Sequence, residues 1–202
     1  MAEEKALDAF NVGIAKGREG GYAAVAPANT DPTAYVDVSK TIAELIKSSG
    51  SVLKSLGYIS EDGVTNATDT DTSDIKDWGA NVIKSPLTSY GETIQVGFLE
   101  SRDSVLKVVF GEANVTTDAG TTIVRHNTAF TGTHLFVFDS VVSETKVKRI
   151  VIPNGVITER DDIEMNSSDP LVYTPTIKCL PSPYFDGDCI REYIYDTTYV
   201  AA

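Results

Sequence analysis

The sequence predicts a mainly β fold with one flanking helix, on three observations. Thr93, Gln95 and Gly97 alternate with Ile94, Val96 and Phe98, so one face of that strand is apolar and the other can meet water. Five further stretches, 121–127, 134–142, 145–152, 171–180 and 189–200, read as strands bounded by turn signals. Between them, residues 101–110 carry a compact helical pattern.

A chain of 202 residues with 42% hydrophobic and 23% charged residues is long enough for one full core and has ordinary globular composition. We read one domain over 1–202, with an N-terminal arm and irregular segment at 1–55 and a long acidic loop at 61–77. No internal repeat is evident.

In the arm, 11–15 and 22–26 are short candidate strands separated by the flexible, charged KGREGG, and 27–33 is turn-rich. Ile42, Leu45 and Ile46 stand at helical spacing, with Ser39 available as a cap and Gly50 as an interruption. That pattern fits either a short helix or an extended segment ordered against a neighbouring subunit. A strand restarts at 57–64, where Asp62-Gly63 signals a turn.

From 61 to 77 the chain holds six acidic residues, Glu61, Asp62, Asp69, Asp71, Asp74 and Asp77, against a single Lys76. Its apolar residues are only Val64, Ala67 and Ile75, so the segment cannot bury itself, and a polar loop of this length signals disorder or a role of its own. Trp78, the sole tryptophan, closes it as an anchor against a core or a partner.

The helix begins at Ser101, a good N-cap, has Asp103 in its first turn and stops at Gly111. Val105, Leu106, Val109 and Phe110 fall on one side. Ten residues are marginal as an isolated helix, so this one needs the sheet; burying the four side chains contributes on the order of 6–12 kcal/mol gross. Further on, Lys146 and Lys148 share a face with Ile150 and Ile152, so that strand starts wet and ends buried; Pro153-Asn154-Gly155 then turns the chain. Residues 159–169 form a second acidic loop in which Asp161, Asp162 and Glu164 read as solvated surface. Cys179 and Cys189 flank a turn and could face each other across a hairpin, but free thiols are expected of a protein made in the reducing cytoplasm.

A formal charge of −12 disfavours tight nucleic-acid binding, which needs Lys and Arg to displace counterions, while leaving room for a conduit that must not grip its cargo. No apolar run approaches the roughly 20 residues that span a bilayer. The N-terminus lacks the basic start and apolar segment of a secretory signal, so cytoplasmic synthesis is the expectation and no membrane partner is expected.

Asp69, Asp71, Ser73 and Asp74 resemble the start of a calcium loop, but Asp74 stands where Gly is needed and Ala80 where a bidentate Glu belongs. His126 and His134 lack a positioned nucleophile, and Gly17, Gly20 and Gly21 lack the Lys and Ser/Thr of a phosphate loop. Lys146, Lys148 and Arg149 are too few for a nucleic-acid patch and fit a wet strand end. Neither catalysis nor a cofactor nor a metal is expected.

GYISEDGV, an acidic Thr-rich stretch, DIKDWGANVI, a strand entering ESRDSVLKVVFG, and VKRIVIPNGVITE follow in an order that resembles the major tail protein, or tail tube protein, of long non-contractile-tailed bacteriophages. The similarity covers roughly 56–159. The resemblance implies an antiparallel β sandwich or barrel with one flanking helix, assembled as sixfold rings stacked into a hollow tube. It implies that 101–110 is the flanking helix and that 61–77 is the loop reaching an adjacent subunit or ring. It implies as partners other copies of the chain, a tape-measure protein in the lumen, the tail terminator and the baseplate or tail-tip proteins, with DNA passing in transit and unbound. A tail component of the virion, assembled in the host cytoplasm, follows. Two rivals remain: a β-rich virion decoration or receptor-binding module using Tyr193, Tyr195 and Tyr199, and a hydrolase using His126 or His134 with Asp139.

Overall fold

Leu135 and Val137 point to one side of their strand and Phe136 and Phe138 to the other, yet all four are buried, because both faces of the sheet are covered there. The computed structural model describes residues 12–198. In chain order it contains β1 (Lys16–Gly17), β2 (Ala23–Pro27), α1 (Ile42–Ser48), β3 (Lys54–Ser55), β4 (Ile59–Thr72), β5 (Ile75–Lys76), β6 (Val82–Lys84), β7 (Leu87–Phe98), α2 (Asp103–Phe110), β8 (Val115–Asp118), β9 (Thr121–Val124), β10 (Thr133–Val141), β11 (Lys146–Arg160), β12 (Pro175–Leu180) and β13 (Arg191–Asp196).

Nine strands form one antiparallel sheet in the order β3-β2-β10-β11-β12-β7-β4, with β1 added to β10 and β13 to β11. β3 and β4 stand at opposite ends of that order, but only Leu56, Gly57 and Tyr58 separate them in sequence. So short a connection cannot cross a flat sheet at about 4.8 Å per strand. The sheet therefore curls until its ends meet. Leu56 N–H donates to Ala23 O at 2.9 Å and Leu99 N–H to Tyr58 O at 3.0 Å across that seam. One cluster consequently joins Ala23 and Val25 of β2 to Ile94, Val96 and Phe98 of β7, as the two halves of a sandwich. The mainly β, antiparallel class is the one predicted.

The predicted flanking helix is α2. Val105, Leu106, Val109 and Phe110 are all buried in the main core, and Val108 joins them. Gly111 ends it at φ 93°, a left-handed backbone that a Cβ would disfavour. The start differs from prediction: Arg102 is the N-cap, without a side-chain cap bond, while Ser101 Oγ lies 3.0 Å from the Tyr173 hydroxyl. The ambiguous 38–56 segment forms α1, so the fold has two helices. Thr41, not Ser39, caps α1, in a capping box with Glu44 whose carboxylate accepts from Thr41 N–H at 2.7 Å. Ile42 and Leu45 pack on Leu135 and Val137, covering the outer face of β2 and β10.

Several predicted boundaries move. Pro153-Asn154-Gly155 does not turn the chain: β11 runs through it, and Gly155 pairs with both Cys179 and His134. Of the predicted 11–15 strand, Asn11 lies outside the described residues; Ile14 N–H donates to Val142 O at 3.0 Å, and regular pairing starts only at Lys16. The 121–127 strand stops at Val124 and pairs with β8, which no sequence signal marked. β12 and β13 both pair with β11, so Cys179 and Cys189 do not face each other across a hairpin; both are free. Arg149 is not on a wet strand end but fully buried.

The two thiols differ in environment. Burial pushes the Cys179 thiol up to about 12, whereas Cys189, half-buried, is raised less. Because the thiolate is the reactive form, a disulfide-exchange reagent at pH 8 is expected to label one thiol per native chain, Cys189, and the second only after denaturation. Equal labelling of both in the native protein would contradict the burial.

Candidate assembly surface

The segment predicted as an acidic loop is the rising arm of a long β-hairpin. β4 pairs with β7 from Val64↔Val96 to Thr72↔Leu87, and β5 pairs with β6 beyond it. Thr at 65, 68, 70 and 72 is the signal that a polarity count obscures, since β-branched residues suit a strand even where nothing is buried. The predicted Asp62-Gly63 turn becomes a bulge, where the register shifts between Ile59 and Val64.

The acidic residues serve the hairpin in two ways. Asp71 accepts from Ser89 Oγ at 2.9 Å and Asp74 from Ser85 Oγ at 2.6 Å, each bridging the arms. Asp77 builds the tip: its Oδ1 accepts from Asn81 N–H at 2.8 Å, its own N–H donates to Asn81 O at 2.9 Å, and Ala80 N–H donates to its carbonyl at 3.0 Å. The Asn81 backbone N–H first, and then the Asn81 side-chain amide, hold the Asp77 carboxyl below its usual range. Glu61, Asp62 and Asp69 make no such bond among the described residues and face solvent.

Beyond the Glu92–Gln95 stretch that pairs with β12, the hairpin has no strand beside it. Every residue from Thr65 to Tyr90 except Pro86 is exposed, and β5, β6 and the start of β7 present Ile75, Val82, Ile83 and Leu87 to solvent. Trp78 does not anchor to its own core: at the tip it is 105% exposed. A two-stranded hairpin bare on both faces is marginal alone in water, and contiguous exposed apolar side chains mark an interaction surface.

The rival sites do not assemble. His126 lies past the end of β9 with its ring 4.7 Å from that of Phe110, and His134 lies on β10. Asp139, the acid proposed to serve them, is already engaged by Arg149 at 2.6 and 2.5 Å and by Arg18 at 3.0 Å. Tyr193 and Tyr195 are half-buried on β13, and Tyr199 lies outside the described residues. Among the described residues no group of three or more His, Cys, Asp or Glu could hold a metal ion, and no helix is long and apolar enough to cross a membrane.

No curated protein matches the chain. A family model described as Phage tail tube protein matches residues 19–179, which take in the closed sheet seam, α1, the hairpin and α2. With that match over well more than half its length, on an antiparallel β sandwich that projects an unpartnered hairpin, the chain belongs to the phage tail tube protein family, structural components of the virion tail.

Proposed function

We propose that copies of this chain join as sixfold rings that stack head to tail into the hollow tail tube, built in the host cytoplasm around a tape-measure protein. The tube is closed by terminator and tail-tip proteins and later conducts DNA to the host. The observation that carries this reading is the hairpin, whose exposed outer arms and apolar tip have nothing packed on them among the described residues. Its residues Glu61, Asp62, Asp69, Asp71, Asp74, Asp77 and Trp78 form the contact to an adjacent subunit or ring. Contacts between unlike surfaces generate rings or open filaments, depending on whether the rotation closes. The net charge of −12 suits a bore that repels phosphate, so that DNA slides without sticking.

The test removes the outer hairpin cleanly. Thr68 pairs with Glu92, so replacing 69–91 by Asn-Gly closes the shortened arms with a two-residue turn. The variant is expected to remain a folded, soluble protein with a cooperative melt and to form no tubes by electron microscopy. Tubes of normal length would overturn the assignment of the hairpin to assembly.

A further inference from the structure

The hairpin and one cavity lie at opposite ends of the body. β4, β7, β12, β11 and β10 are successively antiparallel, so β4 and β10 run in the same direction. The tip lies beyond the end toward which both strands run. A cavity of about 480 Å³ lies at the other end, where β10 begins, among Val25, Val52, Lys54, Val108 and His134. That volume is in the range, about 300–1,000 Å³, of sites that take a small organic group. A second cavity, of about 450 Å³ beside Tyr22, Val64 and Phe138, is bounded by the end of β10, on the hairpin side.

The lining of the first cavity specifies its occupant. Val52 is an exposed apolar residue, 44% accessible, on the rim. His134 is half-buried, with its Nε2 closed off from solvent beside Gly132, so its ring serves as wall and not as an open acceptor. Burial lowers the His134 pKa, favouring a neutral ring. Of the charged groups on the lining, Glu112 is paired with Lys107 at 3.8 Å, whereas Lys54 makes no ion pair among the described residues, and the hairpin that would arrive carries Asp69, Asp71, Asp74 and Asp77. An indole on such an arm matches this lining, a flat apolar body for the wall with carboxylates nearby to face Lys54.

The reach also fits. Register places Glu92 level with His134, through Cys179 and Gly155. Thr68 is the partner of Glu92, and from Thr68 to Trp78 the arm extends about 33 Å, whereas β10 continues about 23 Å from His134 to Val141, at about 3.3 Å per residue. The tip therefore projects about 10 Å past the end of β10 by the same spacing, enough to reach a cavity that opens on the facing end of a copy seated there.

We propose that Trp78 of one copy seats in the Val52–His134 cavity of a second copy stacked on its hairpin end, its indole packing against Val52 and the His134 ring. This rests on the ring-stacking reading above and adds the receiving surface to it.

Trp78 is the only tryptophan, so emission reports its environment directly. Wild-type tubes are expected to emit to the blue of unassembled chains and to resist an aqueous quencher. A W78C/V52C variant, oxidised as tubes, is expected to give a ladder of covalent oligomers that neither single variant gives. V52E, at an exposed position, is expected to leave the melt unchanged and raise the concentration needed for tubes on the order of 30-fold, the loss of one interfacial hot spot. Tubes with a solvent-exposed Trp78, no ladder or no V52E effect would overturn the cavity assignment while leaving ring stacking intact. Failure of wild-type protein to form tubes under any condition would overturn both. If W78C/V52C does not assemble, emission and V52E decide alone.

Discussion

Replacing Arg149 by alanine is expected to lower the melting temperature by about 6–20 °C. The guanidinium is fully buried and makes five bonds: two to Asp139 and one each to the carbonyls of Tyr35 and Asp37 from one nitrogen and of Lys40 from another, at 2.5–3.0 Å. It thus ties the irregular 35–40 segment, and with it α1, to β10 and β11. Arg18 reinforces the same knot through Asp139 and the carbonyls of Val38 and Lys40. Removing one member of such a buried pair strands a carboxylate and several carbonyls, at about 3–5 kcal/mol, and each kcal/mol is worth about 2–4 °C in a chain of this size. Removing both charges as Arg149→Met with Asp139→Leu is expected to cost less than the single change, since the stranded carboxylate disappears. Thermal denaturation followed by circular dichroism reads both; a fall below 2 °C for the alanine variant would show that the knot contributes little.

Phe136→Ala is expected to cost about 3–5 kcal/mol, the usual toll of a large buried aromatic. The Phe136 ring stacks parallel to Phe138 at 6.2 Å and lies over Gly155, where an added Cβ would stand 2.7 Å from its edge. Gly155 is glycine for that close approach and not for a turn. Gly155→Val is therefore expected to destabilise by about 1–3 kcal/mol through overpacking. Because the two side chains compete for one space, Phe136→Leu is expected to relieve part of that cost, a departure from additivity that chemical denaturation of the double variant detects. Strict additivity would mean that the ring does not rest on the glycine.

These two sites mark where the sequence was and was not readable. Alternation at 93–98 and the apolar side of α2 reported burial directly, and both elements stand where predicted. Arg149 and Gly155 misled, because their roles depend on atoms distant in the chain: a charge reads as wet until carbonyls more than a hundred residues earlier surround it. A Pro-Asn-Gly triplet reads as a turn until a ring from the neighbouring strand covers the glycine. The acidic segment misled for a different reason. Among the described residues nothing buries β4 beyond Val64, so the polarity was reported faithfully and only the backbone state was wrong. Trp78 was expected as an anchor against a core or a partner, and it stands fully exposed, away from its own core.

The three-residue seam at Leu56–Tyr58 also sets how the hairpin carries load. One arm descends through that seam into β3, and the other ends at Phe98 a few residues before α2. A pull along the tip draws both arms the same way and acts lengthwise on the β7–β12 ladder that joins the hairpin to the body, whose hydrogen bonds lie across the direction of tension. Loaded in this way the rungs share the force and must shear together, where a sideways pull would unzip them singly. The arm behaves as a tether, stiff along its length and compliant in bending.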